Sequence, residues 1–120
     1  MTTRERAVPI LRVRGVVVVP IQVDLTDSLV ERLEEDILLD IERRAARGLI
    51  VDVSAIELLD TYTAKALTRI ARAAGLMGTP TIVCGLRPAV AQTLSEMGFR
   101  ASGFTTALNL DDALDRSERW

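Results

Sequence analysis

Three adjacent residues, Asp60, Thr61 and Tyr62, follow a predicted buried strand and begin a predicted helix. Asp60 and Thr61 fall where a helix needs an N-cap, and either side chain could accept a hydrogen bond from an unpaired backbone N–H. A hydroxyl at this position also lies at the positive end of the helix dipole, where a phosphate would meet N–H groups. Two interpretations therefore stand for Thr61: a structural cap, or the acceptor of a phosphoryl group.

The sequence lacks residue types on which much enzyme chemistry depends. It has no histidine and one cysteine, Cys84, which removes the usual zinc ligands, an imidazole base and dithiol chemistry. Neither a Gly-x-Gly-x-x-Gly motif nor a Walker motif occurs. We therefore expect a binding protein and not an enzyme, with no metal and no cofactor.

Composition narrows the class of protein further. A chain of 120 residues that is 48% hydrophobic is typical of one globular domain. A net charge of -2 offers no broad positive field, so we expect no nucleic-acid partner. No apolar run approaches the roughly 20 residues of a membrane helix, and no signal-peptide pattern follows Met1. Together with a lone cysteine in an apolar run, these features predict a cytoplasmic protein that does not bind membranes.

Around the Asp60 segment, the hydrophobic pattern alternates between strand and helix periods. Thr26, Asp27 and Ser28 are all candidates for the start of the first helix, and Gly48 is expected to end it. The predicted elements are strands Ile10–Arg14 and Val16–Val23 around a tight turn at Gly15, a helix from about Leu25, strand Leu49–Val53, helix Tyr62–Leu76, strand Thr81–Cys84, a helix from Pro88 to Gly98, a short strand near Phe104–Leu108 and a helix from Asp111. This order predicts a single α/β domain with helices packed on a mixed sheet, and it places the Asp60 segment at the carboxyl end of a central strand.

Several segments resemble STAS-domain proteins of the anti-anti-sigma family, most closely the RsbS type of stressosome scaffold. Asp60-Thr61-Tyr62 after Ile50-Val51-Asp52-Val53-Ser54 is similar to the Asp-Ser/Thr phosphorylation loop of that family. The other similar segments are Pro9-Ile10-Leu11 with Ile21-Gln22, Glu34-Glu35-Asp36-Ile37-Leu38, Leu76-Met77-Gly78, Gly85-Leu86-Arg87-Pro88-Ala89-Val90-Ala91 and Thr106-Ala107-Leu108-Asn109-Leu110. The resemblance extends from about Val8 to Leu114.

The resemblance implies a STAS fold over residues 8–117, preceded by a flexible segment at residues 1–7. It implies that Thr61 is the phosphoacceptor, that Asp60, Tyr62 and Lys65 bind the partner, and that Thr93 is a candidate second phosphosite. Such a scaffold sequesters a serine/threonine switch kinase of the RsbT type and releases it when phosphorylated. It also assembles with itself and with sensory STAS paralogues of the RsbR type, and a phosphatase removes the phosphate from Thr61.

Alternatives remain at this point. The chain could be a generic anti-sigma-factor antagonist that binds an anti-sigma kinase directly, although those proteins commonly carry Asp-Ser-Ser-Gly where this chain has Asp60-Thr61-Tyr62-Thr63. Stressosome scaffolds usually have serine as the acceptor, whereas threonine is familiar in the sensory paralogues. The absence of a sensory extension favours the scaffold. Thr93 aligns with a region where the sensory paralogues carry a second phosphosite, but a threonine between apolar neighbours on a short helix is more often a plain packing or surface residue.

Overall fold

Runs rich in valine, isoleucine and threonine form one five-stranded sheet whose strands lie in chain order. The computed structural model describes residues 8–96 and 103–120. Its elements are β1 (Leu11–Val13), β2 (Val16–Pro20), α1 (Asp27–Arg43), β3 (Gly48–Asp52), α2 (Thr61–Leu76), β4 (Thr81–Cys84), α3 (Pro88–Glu96), β5 (Thr105–Ala107) and α4 (Leu110–Ser117). β1 pairs antiparallel with β2, and β2 to β5 are parallel. The predicted α/β fold with a mixed sheet is confirmed.

The connection between β1 and β2 is the predicted tight turn. Arg14 and Gly15 both have positive φ angles, 56° and 80°, which is the backbone geometry of a two-residue hairpin loop. Pro20 ends β2, where its missing N–H costs the sheet least.

Helices cover both faces of the sheet. α1 and α2 pack on one face, against side chains that include Val19, Leu49 and Val51, and α4 packs on the other, against Ile50 and Ile82 among others. α3 contacts the first turn of α2 and the end of the preceding loop through a separate cluster, formed by Leu59, Ala64, Val90 and Leu94. The Asp60 segment is therefore positioned by β3 on one side and by α2 and α3 on the other.

The structure defines both ends of the first helix, and its C-terminal end differs from the prediction. Thr26 is its N-cap, and the Thr26 hydroxyl accepts a bond of 3.3 Å from the N–H of Leu29, which resolves the three candidates. The helix ends at Arg43, and the expectation that Gly48 ends it is wrong. Gly48 begins β3, and the indole of Trp120 packs directly on it: a Cβ there would lie 1.5 Å from a ring carbon.

Two expectations concern residues outside the described ranges: the flexible segment at residues 1–7, and the end of α3 at Gly98. Among the described helices, none has the length and apolar character to cross a membrane.

Candidate functional site

The loop between β3 and α2, residues 53–60, leaves the carboxyl end of the sheet and is fixed at its start. The N–H of Ser54 donates to Asp52 Oδ1 at 3.0 Å, and Nε of Arg87 donates to the Ser54 carbonyl at 2.8 Å. Gly85 has a φ of +79°, and a Cβ there would lie 2.7 Å from the Ser54 Cβ. The loop is therefore held against the β4–α3 connection, and only glycine allows so close an approach.

Asp60 is the N-cap of α2. Its Oδ1 accepts a bond of 2.7 Å from the backbone N–H of Thr63. This bond, followed by a bond from the Thr63 side chain, lowers the pKa of the Asp60 carboxyl below its usual value. Of the two residues that the sequence allowed as the cap, the structure selects Asp60.

Thr61 is the first residue of α2 and its side chain is exposed. Its hydroxyl forms no hydrogen bond with any residue in the described ranges, because Asp60 already serves as the cap. The backbone N–H groups at the start of a helix lack partners within the helix, so a phosphate on this hydroxyl would lie beside them. The geometry leaves the Thr61 hydroxyl exposed to solvent at the first position of α2.

The two other predicted partner-binding residues differ in their surroundings. Lys65, one turn after Thr61, is exposed and forms no ion pair within the described part of the chain. Tyr62 is half-buried, and Arg69, two turns further along α2, donates from Nε to the Glu34 carboxylate of α1 at 2.8 Å. The Glu34 carboxylate raises the pKa of Arg69, with a smaller contribution from Tyr62. Lys65 is available to a partner, whereas Arg69, on the same helix, connects α2 to α1.

A cleft of about 560 Å³ lies between this loop and the β2–α1 connection, and nothing in the sequence analysis predicted it. Its lining is part apolar and part acidic, and it includes no lysine or arginine. The apolar side chains are Val23, Leu25, Ile56, Leu58 and Leu59, and the carboxylates are those of Asp24, Glu57 and Asp60. An apolar residue in an exposed loop, Leu58, is the one sequence signal that could have indicated it.

The remaining candidates lie elsewhere. Thr93 is exposed on α3, and its hydroxyl donates to the Ala89 carbonyl at 2.9 Å, an ordinary contact of a helical threonine. Cys84 is buried in β4. Within residues 8–96 and 103–120, no three acidic or thiol side chains are grouped so that they could hold a metal ion.

Comparisons with known proteins cover the loop and nearly the whole chain. A family model described as the STAS domain matches residues 7–113. Among curated proteins, the RsbT co-antagonist protein RsbRB of Bacillus subtilis (strain 168) is 26% identical over 102 residues, which are 85% of this chain and 37% of that protein. The chain spans 37% to 44% of the length of the RsbT co-antagonist proteins that it matches.

Two solved structures match over most of both chains. A serine-to-glutamate variant of RsbS from Moorella thermoacetica is 42% identical with a TM-score of 0.84, covering 94% of this chain and 96% of that one. A chain from a structure described as the molecular architecture of the stressosome is 41% identical with a TM-score of 0.82, covering 92% of this chain and 96% of that one.

Proposed function

This chain belongs to the STAS-domain family, and we propose that it is a phosphorylation-controlled scaffold of a stressosome-like assembly. In this proposal it captures a serine/threonine switch kinase of the RsbT type and releases it when Thr61 is phosphorylated. It acts in the cytoplasm as a binding protein without catalytic activity. A phosphatase removes the phosphate and resets the scaffold.

The exposed hydroxyl of Thr61 is the observation that carries this proposal. It lies at the first position of α2, next to a residue that already caps the helix. A kinase could bind this hydroxyl in its active site without first breaking a hydrogen bond that stabilises the fold. The preceding loop is held at its start by Arg87 and Gly85 and near its end by the buried Leu59, so the hydroxyl is presented from a defined position.

Support for the scaffold type comes from the two stressosome structures, because each match covers 96% of the other chain. The RsbT co-antagonist relatives support a place in the same assembly, since their names connect them with an RsbT-type partner. We accordingly propose that the chain associates with itself and with RsbR-type paralogues.

The release step follows from charge at the loop. Phosphorylation adds about -1.5 to -2 charges at neutral pH. The new charge would lie beside Asp60 and near Glu57, and Lys65 is the one lysine in this part of the helix. If the captured kinase covers Thr61, the phosphate must be paired by the kinase or expelled, because an unpaired buried charge is strongly unfavourable. We propose that it is expelled together with the kinase.

Phosphorylation with the cognate kinase, ATP and magnesium tests the acceptor. We expect mass spectrometry to find one phosphate, at Thr61, and none on Thr61→Ala. Thr93→Ala is the matched control, because it removes the other exposed candidate hydroxyl, and it should be modified as wild type. Full modification of Thr61→Ala would overturn the assignment.

Light scattering tests the assembly. We expect the protein to associate with itself or with its RsbR-type paralogue at micromolar concentration, where interfaces of standard size persist. A strict monomer, both alone and with the paralogue, would contradict the scaffold role while leaving the phosphosite intact.

A further inference from the structure

Leu58 is the most exposed large apolar side chain near the acceptor, at 89%, and it lies two residues before the N-cap Asp60. Of the other strongly exposed leucines in the described part, Leu108 after β5 is 79% exposed, and the one that matches Leu58 most nearly is Leu76, at 91%, at the far end of α2. The two residues have the same chemistry and nearly the same exposure. They differ in their distance from Thr61, which begins the helix that Leu76 ends.

The outward position of Leu58 is set by its neighbours. Leu59 is buried against Ala64 and Val90, and Ile56 is half-buried while its N–H donates to the Val53 carbonyl at 2.9 Å. Leu58, between these anchored residues, contributes almost nothing to the core of its own chain. Its substitution should therefore leave the fold intact.

The cleft beside Leu58 defines the chemistry of a partner. Apolar side chains line it together with the carboxylates of Asp24, Glu57 and Asp60, and no cation is among the lining residues. Asp24 and Glu57 form no ion pair within the described ranges. The complementary surface is apolar at its centre and carries lysine or arginine at its rim.

We propose that Leu58 is the apolar anchor on which the captured kinase docks, with basic residues of the kinase at the acidic cleft. This inference rests on the proposed function, because a kinase that reaches Thr61 must pass over the loop that carries Leu58. Burying a fully exposed leucine strengthens an interface by about tenfold or more in Kd. Leu58 thus sets affinity, while Thr61 sets release.

The acidic cleft is consistent with release by phosphorylation. In the unmodified complex the cations of the kinase face the carboxylates of the cleft. In this proposal a phosphate on Thr61 adds charge beyond what those cations already neutralise, and Lys65 is the one lysine of this chain beside it. Attraction to a basic kinase and expulsion after phosphorylation are therefore compatible.

Titration calorimetry of the RsbT-type kinase against Leu58→Ser, with Leu76→Ser as the matched control, tests the anchor. We expect Leu58→Ser to weaken binding by about tenfold or more and Leu76→Ser to change it by less than about twofold. Circular dichroism should give both variants the melting temperature of the wild type. In steady-state phosphorylation, Leu58→Ser should raise the KM for the scaffold and leave kcat unchanged, since its contact is the same in the ground and transition states.

The outcomes separate the anchor from the proposed function. If wild type binds the kinase and Leu58→Ser binds equally well, the anchor is wrong and the proposed function stands. If Leu58→Ser changes self-association by light scattering but not kinase affinity, the surface belongs to a second copy and the anchor is again wrong. If wild type itself does not bind the kinase, both proposals fall.

Discussion

The carboxylate of Asp60 accepts a 2.7 Å hydrogen bond from the backbone N–H of Thr63, and this bond fixes the start of α2. It also removes the capping role from Thr61, which lies between these two residues. Because Asp60 supplies the cap, Thr61 has no structural task for its hydroxyl. Under the proposed function, a modification there changes partner binding without unfolding the helix.

Asp60→Ala should lower the free energy of unfolding by about 1 kcal/mol, the usual cost of losing an N-cap. Asp60→Asn should cost little, because an asparagine oxygen accepts the same bond. Urea denaturation of the three proteins checks this order. Equal losses for both variants would mean that the charge, and not the cap, stabilises the helix.

The contribution of Asp60 should depend on pH in a defined direction. The bond from Thr63 lowers its pKa from 3.8, so the stabilisation is fully present above that value and is lost as the pH falls below it. The stability difference between wild type and Asp60→Asn should therefore shift in favour of the variant in acid. A difference that stays constant on acidification would contradict this assignment.

Substitutions at Gly48 and Trp120 should have strongly non-additive effects on the free energy of unfolding, because the two residues are in contact. Gly48→Ala forces a Cβ to within 1.5 Å of the indole ring, and we expect a cost of about 1 to 3 kcal/mol or more from overpacking. In a Trp120→Ala background the same substitution should cost much less. A double-mutant cycle with additive effects would show that the ring does not occupy this position.

Thr81 carries a buried hydroxyl that has no hydrogen-bond partner in the described structure. Thr81→Val keeps the shape and removes the unsatisfied group, so it should raise the free energy of unfolding by about 1 kcal/mol. Thr79→Val is the matched control, because the Thr79 hydroxyl donates to the Ala46 carbonyl at 3.4 Å. That variant should be neutral or destabilised, and gains of equal size in both would contradict the reasoning.

Cys84 should be inert in the folded protein. Burial, with a further contribution from the Asp52 charge, raises the pKa of its thiol to about 12 from an ordinary 9.0. A thiol reagent at mildly alkaline pH should label the protein in urea and leave the native protein unlabelled. The stabilisation from keeping the thiol neutral should be present below pH 9.0 and lost as the pH rises toward 12. Rapid native labelling would contradict the burial.

Local patterns were sufficient to predict most of the fold. The bounds predicted for β3, α2 and β4 differ from the structure by one residue at most, because these elements have clear apolar periods. The prediction for Gly48 was wrong because its contact partner, Trp120, lies far away in the sequence. The sequence alone does not distinguish a glycine that packs against a ring from one that ends a helix.

The candidate site was also predictable only in part, because some of its features depend on contacts between distant residues. The sequence indicated the Asp60–Thr61 segment, but both side chains can accept a capping bond, and only the geometry distinguishes them. The acidic cleft forms between loops at residues 22–25 and 55–60, and no local pattern brings these together. The ion pair that connects α2 to α1, between Arg69 and Glu34, likewise joins residues 35 positions apart in the chain.

Titration calorimetry of the RsbT-type kinase against three forms of the protein tests the central claim most directly: unmodified, phosphorylated at Thr61, and Thr61→Ala. The hydroxyl forms no bond within the described part of the chain, so its removal should leave the binding surface unchanged. We expect the unmodified protein and Thr61→Ala to bind tightly and the phosphorylated form to bind at least about tenfold more weakly, a difference of about 1.4 kcal/mol. Equal affinity for all three forms would contradict release by phosphorylation, even if Thr61 is the residue that the kinase modifies.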